Sequence, residues 1–330
     1  MRRPLICKEM PLASVRFFFS SAFFLLLSAI VIACGPVPVE TQSLRFGTLP
    51  ILDALPVYVA EKEGFFARQG VGVEIVPFAS ALERDAALQA GQTDGDISDL
   101  VATALFNKDQ ERTKVVRVAM KATPEQRMFA ILAAPGLRIQ TVSGLRNVEV
   151  AISTNSVIEY VTDQLLAGGG LAPAEIQKTE VTKIPIRMEM LAKGQVKAAT
   201  LPEPFATLAL EQGASLVIDD AKSGIGQSVV RFSQVALRRK PDAVRRFLIA
   251  YEQAAGAINS RPENYRALMV DKGKVPPSLR DSFKVPVFPG AAVPSEGEVA
   301  AVTRWLAGRK LLAGELSYKV LVEPGFLPRP

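Results

Sequence analysis

The 330-residue chain has no histidine, one tryptophan and two cysteines, Cys7 and Cys34. Without histidine it lacks the commonest general base and the commonest metal ligand. Two cysteines cannot build a disulfide framework, so stability must come from core size, which this length allows. Concentrated charge is missing too. The formal net charge is +6, and residues 1–33 supply +3 of it through Arg2, Arg3, Lys8 and Arg16 against Glu9. The basic residues beyond the leader are scattered among acids, which argues against a nucleic acid partner. There is no Gly-x-Ser-x-Gly elbow, no Ser-x-x-Lys pair and no Walker A loop. Gly70 and Gly72 could begin a dinucleotide fingerprint, but Ile75 stands where the third glycine belongs. The paired acids Asp94/Asp96 and Asp219/Asp220 are of the type that does acid–base work or binds calcium, but at strand or loop boundaries they read as ordinary solvated acids.

What is present starts with one long apolar run. Phe17–Ala33 is uncharged and follows the basic segment. It ends in Val31-Ile32-Ala33-Cys34, which resembles the bacterial lipobox. Residues 1–33 therefore read as a lipoprotein signal peptide, cut before Cys34, whose thiol takes lipid. More than one acyl chain is what makes such anchoring durable. An uncleaved signal anchor is the rival reading of the same run. Residues 34–43, with two prolines, form a tether, and Cys7 is lost with the leader.

The body alternates apolar strands with amphipathic helices, an α/β pattern of mostly parallel sheets. Strands are expected at Leu44–Thr48, Val71–Pro77, Asp96–Ser98, Val115–Met120 and Met128–Ala133, with a helix over Ala54–Arg68. After Pro135-Gly136 the order restarts, with strands at Val148–Ser153, Lys178–Thr182, Val196–Leu201 and Ser215–Asp219. Leu88–Gly95 (LQAGQTDG) aligns without a gap on Leu191–Ala198 (LAKGQVKA), so one unit is used twice. The expected division is a first lobe over 44–135, a second over 136–228, and a return over 229–330. That return opens with a strand at Val229–Leu237, and helices follow at Pro241–Ser260, Pro262–Asp271, Pro277–Phe283 and Ser295–Leu312. Two such sheets make a cleft at their strand ends, where a solute is held by closure.

Four segments carry a family resemblance. Asp53–Phe66 (DALPVYVAEKEGFF), Gly70–Ile75 (GVGVEI), Ala87–Asp94 (ALQAGQTD) and Glu203-Pro204 resemble the sulfonate-, nitrate- and thiamine-pyrimidine-binding proteins of ABC importers. The similarity runs from about Leu44 to about Pro241. It implies a two-lobed periplasmic-binding-protein fold of type II, each lobe a mostly parallel sheet flanked by helices. Together with the lipobox and the missing histidines, it implies a monomeric, lipid-anchored, extracytoplasmic binder with no catalysis, cofactor or metal. Its partners would be a small solute (sulfonate, nitrate-like anion, pyrimidine or flavin), an ABC permease and the ATPase subunit. The resemblance also implies ligand contacts. These are Leu52, Asp53, Ala54 and Tyr58 after the first strand, and Ser98 and Asp99 after the third. Arg127 and Phe129 lie near the crossover. Ser153, Thr154, Asn155 and Ser156 open the first helix of the second lobe, and Glu203 follows its third strand. The chain departs from the family at Lys197, where aspartate is usual, and near Asp53, where a histidine is common. The pyrimidine-synthesising branch of this fold needs histidines, and this chain has none. Two other classes stay open: an extracytoplasmic enzyme with a carboxylate or Ser/Lys site, and a lipoprotein that docks another protein.

Overall fold

Strand β1 (Ser43–Thr48) buries Leu44 and Phe46 on alternate positions and runs parallel to β2 (Gly72–Pro77) and β3 (Gly95–Ser98) on either side. The computed structural model describes residues 43–328, so the expected leader and the Cys34 anchor lie outside the described residues. Between β1 and β2 stand α1 (Leu55–Lys62) and α2 (Phe65–Arg68), and α3 (Ala81–Gln89) leads into β3. A single helix over 54–68 is expected, but Gly64 breaks it with a φ of +69°, a conformation glycine adopts without a side-chain clash. Next come α4 (Leu100–Phe106) and β4 (Thr113–Lys121).

The chain then leaves this sheet. It forms β5 (Phe129–Ala133), β6 (Glu149–Ile152), α5 (Val157–Gly168), β7 (Gln177–Glu180), α6 (Ile184–Ala192), β8 (Ala198–Pro202), α7 (Phe205–Glu211) and β9 (Ser215–Asp219). It returns as β10 (Gln227–Ser233), followed by α8 (Gln234–Arg239), α9 (Pro241–Ser260), α10 (Arg266–Lys272), α11 (Glu296–Gly308) and α12 (Tyr318–Leu321).

The two sheets have one plan. The first runs β2-β1-β3-β10-β4 and the second β7-β6-β8-β5-β9. In each, the strand that has just crossed over lies antiparallel between the third and last strands. This moves the expected lobe boundary. Phe129–Ala133 belongs to the second sheet, so the chain crosses at 122–128 and returns at 220–226, not at Pro135. Its residues are all buried, and a buried central strand reads the same in either sheet. Two later expectations also change. The strand expected over 229–237 stops at Ser233, whose side chain caps α8 by accepting from Ala236 N at 3.1 Å. The helix expected over 277–283 is only a 3-10 turn at Pro277–Leu279.

Helix α9 seals the first sheet. Phe247 packs against Phe46, Phe66 and Phe232 with ring centroids 4.5, 5.2 and 5.4 Å apart. Its stripe, Val244, Phe247, Leu248 and Tyr251, is the one its 3.6-residue periodicity predicts. A smaller cluster around Leu132, Leu191, Ala199 and Leu201 fills one side of the second sheet. Helix α11 links the halves. Trp305 Nε1 donates to Asp163 Oδ2 at 3.0 Å, and Arg309 pairs with Glu159 at 2.7 Å, both acids lying on α5. Among the described residues, no helix is long and apolar enough to cross a membrane.

Candidate functional site

Both chain crossings meet at one carboxylate. Asp220 Oδ1 accepts from the backbone N–H groups of Met128 at 2.8 Å and Phe129 at 3.1 Å. Ala122 N donates to Gly226 O at 2.8 Å, tying the outgoing and returning strands side by side. A Cβ at Gly226 would overlap Asp220 Oδ2, so a larger residue there would push this carboxylate aside. Burial pushes the Asp220 carboxyl up to about 6, against the pull of the two backbone donors.

A pocket of about 450 Å³ opens beside these crossings. Leu100 of α4, Tyr160 and Gln164 of α5, Gln227 of β10 and Glu298 of α11 line it, so both lobes contribute. Helices α4 and α5 follow the carboxyl ends of β3 and β6, the edge at which open α/β sheets bind ligands.

The first lobe also carries buried polar groups at the ends of its strands, and of these Gln227 lines the pocket. Leu52, Asp53 and Ala54 form a 3-10 turn after β1, and all three are buried. Asp53 Oδ1, Ser98 Oγ, Gln227 Oε1 and Ser228 Oγ are buried without a hydrogen-bond partner among the described residues. Ser98 pairs with Val229 across β3 and β10, so Ser228 lies just past the end of β3. Burial raises Asp53 to about 6, with the Arg84 charge pulling the other way. Asp99 is raised by burial too, and its Oδ1 caps α4 by accepting from Ala102 N at 2.8 Å. Tyr58 is placed differently. It is 9% exposed, its hydroxyl shares a 2.9 Å hydrogen bond with Thr48 Oγ1, and Lys272 Nζ stands 5.6 Å from its ring centroid. The protein's own groups occupy this ring.

In the second lobe, Arg127 and Glu203 come together. Arg127 Nε donates to Glu203 and its Nη2 to Thr207 Oγ1 at 3.0 Å, while Asp219 lies 3.9 Å from Nη1. Arg127 is therefore already neutralised by carboxylates of its own lobe. Phe129 begins β5 and is buried. Ser153, Thr154, Asn155 and Ser156 form the loop from β6 into α5, with Thr154 and Asn155 exposed. Ser156 is the N-cap, accepting from Ile158 N at 3.2 Å. Among the described residues, no hydrogen bond joins the first lobe's expected contacts to those of the second.

Sequence reasoning passed over Arg187. It is fully buried in the first turn of α6, where its Nη1 donates to Ser153 Oγ at 3.0 Å and Val181 O at 2.9 Å. The signal was available: the gapless repeat that aligns Leu88 with Leu191 also aligns Arg84 with Arg187.

Comparison with known proteins gives the context. Residues 52–265 match the family model described as NMT1/THI5 like. No curated protein matches the chain. Among solved structures, the chain resembles the periplasmic aliphatic sulphonate binding protein SsuA from Escherichia coli, with a TM-score of 0.73 and 17% identity, over 86% of this chain and 92% of that one. It resembles the periplasmic nitrate-binding protein NrtA from Synechocystis PCC 6803, with a TM-score of 0.66 and 14% identity, over 87% of each chain. It also resembles a mutant of DSZB in complex with biphenyl-2-sulfinic acid, with a TM-score of 0.62 and 14% identity, over 87% of this chain and 97% of that one. At these identities the likeness is one of fold: the two-lobed architecture of periplasmic binding proteins.

Proposed function

The chain belongs to the NMT1/THI5-like family, and from that premise we propose that it is the solute-binding subunit of an ABC importer. It captures a small organic or anionic solute between its lobes and hands it to a membrane permease driven by an ATPase subunit. The observation that carries this reading is the repeated sheet plan joined by two adjacent crossings, because a hinge between lobes needs such paired connecting segments. The sulphonate- and nitrate-binding proteins of the same fold indicate the range of solutes. The lipobox-like Val31–Cys34 supports a lipid anchor that keeps the binder beside its permease, outside the cytoplasm.

The competing enzyme reading has one residue in its favour. Asp53 is buried, unpaired at Oδ1 and held near 6, which suits a general base. Against it, the chain has no histidine, and Arg127 and Glu203 neutralise each other.

Mass spectrometry of small molecules released from gently purified full-length protein tests the choice. One solute at stoichiometric occupancy, recovered unchanged after incubation, is expected. Conversion of that solute during incubation would establish the enzyme instead. For the anchor, Cys34→Ser should move the protein out of the membrane fraction, and an unchanged partition would exclude lipidation there.

A further inference from the structure

Arg187 is a buried guanidinium without a counter-ion. Its Nε and Nη2 meet no acceptor among the described residues, although the side chain is fully buried. Burial lowers its pKa to about 10, with no charge opposing the shift. A buried cation of this kind is costly unless something pairs with it.

The repeat shows what has been removed. In the first lobe Arg84 holds the matching place, and there Nε and Nη2 both donate to Asp85 Oδ1, at 3.1 and 2.9 Å. Asp96 lies 3.8 Å from the same Nε. In the alignment that pairs Arg84 with Arg187, Asp85 becomes Met188 and Asp96 becomes Ala199. The two nitrogens left without acceptors in the second lobe are thus the two that a carboxylate satisfies in the first. The helix start differs in the same sense. Ser80 caps α3 by accepting from Glu83 N at 3.2 Å, whereas the aligned Lys183 gives α6 no side-chain cap.

The surroundings favour negative charge. Arg187 sits in the first turn of nine-residue α6, and it holds Ser153 in the loop that opens twelve-residue α5. Both helices start from the loops that Arg187 ties together through Ser153 and Val181, and a helix start favours negative charge. The nearby Glu159 is already engaged, with Lys178 at 2.9 Å, Arg309 at 2.7 Å and Asn155 N at 2.7 Å. The loops tied to the guanidinium reach the surface. Ser153 is half-buried, and Thr154, Asn155, Thr182 and Lys183 are exposed. The Ser153 hydroxyl bridges these loops by donating to Thr182 O at 3.1 Å.

We infer that the second lobe contains an oxyanion site built on Arg187 Nε and Nη2, the Ser153 hydroxyl and the starts of α5 and α6. It takes the carboxylate, sulfonate or phosphate head of the solute when the 153–156 and 182–183 loops part. This assignment rests on the solute-binding reading, and it moves the anion contact from Arg127, which is neutralised, to Arg187.

Calorimetric titration of the full-length protein with sodium sulfate, at ionic strength held constant with sodium chloride, tests the site. Saturable binding is expected for the wild type. Arg187→Met should weaken it roughly tenfold or more, the loss expected for charge-assisted hydrogen bonds. Met188→Asp rebuilds the first lobe's pairing. It should abolish sulfate binding while raising the melting temperature of the ion-free protein, a combination that general damage would not give. Equal sulfate binding by wild type and both variants would reveal an adventitious ion only and overturn the assignment. No saturable binding by the wild type would overturn it as well. The two proposals fail separately. A released solute without an oxyanion defeats this site and leaves solute binding standing. Arg187-dependent sulfate binding without any solute does the reverse.

Discussion

Arg84 and Arg187 stand at the same register of a repeated unit and have opposite surroundings. The first lobe encloses its arginine in an ion cluster. Asp96 lies between Arg84 and Arg231, and Arg231 Nε donates to Asp96 Oδ1 at 2.8 Å. Arg231 donates to Asp85 as well, and both Arg231 and Asp96 are fully buried. The second lobe keeps the arginine and omits both acids. The pair teaches that a duplicated fold can divide its charges. One copy commits an arginine to holding the sheet together, and the other buries the same arginine with two nitrogens unpartnered among the described residues.

The largest test of this contrast removes one acid. Asp96→Ala would leave two buried guanidinium groups short of a partner and should cost about 3–5 kcal/mol. Arg187→Met strands no carboxylate but gives up the hydrogen bonds to Ser153 and Val181, so it should cost less, about 1–2 kcal/mol. Denaturant unfolding of the two variants checks this, and equal losses would mean that the lobes do not differ as described.

A second test uses pH. Asp53 in the first lobe and Asp220 at the exit from the second are both raised from 3.8 to about 6 by burial. For each, the folded state binds the proton more tightly than the unfolded state. Stability should therefore fall as pH rises from about 4 to about 6 and then level off. A shift of this size corresponds to ~3 kcal/mol per group as an upper bound. Asp53→Asn and Asp220→Asn should each flatten part of that slope in melting curves taken across the window. If only one of them does, the burial of the two carboxyls is not equivalent.

The smallest test concerns the helix starts. Ser80→Ala should destabilise by about 1 kcal/mol, and Lys183→Ser should stabilise by a similar or smaller amount. Opposite signs in thermal melts are the expected signature of one capped and one uncapped copy.

Much of the fold was legible because hydrophobic period and glycine punctuation are local signals. The α9 stripe and the Gly-Gln junctions that close α3 and α6 are read directly from the sequence. The crossing at 122–128 was not, because the buried run Phe129–Ala133 suits the middle of either sheet and only strand pairing assigns it. At the site, the loops after β1, β3 and β6 were legible as the places where strand ends meet helix starts. Side-chain commitments were not. Arg127 looked available until Glu203 and Asp219 were found against it, and Tyr58 until Thr48 and Lys272 were. Arg187 was hidden for the opposite reason. A lone arginine on a helix normally reads as a solvated charge, and only its missing partners mark it out.

The interleaving of strands also sets an order of assembly. Strand β10 lies between β3 and β4, so the first sheet has a gap until the chain has travelled out through the second lobe and back. Closing a loop of about a hundred residues carries an entropic cost that grows only slowly with length, yet it must be met before any contact across the gap forms. A second lobe that folds first shortens that loop to almost nothing, because Asp220 holds its exit against its entrance at Met128 and Phe129. Refolding should therefore show the second lobe's amides protected before those of β3 and β4. Met128, Phe129 and Asp220 then act as the splint on which the first lobe is completed.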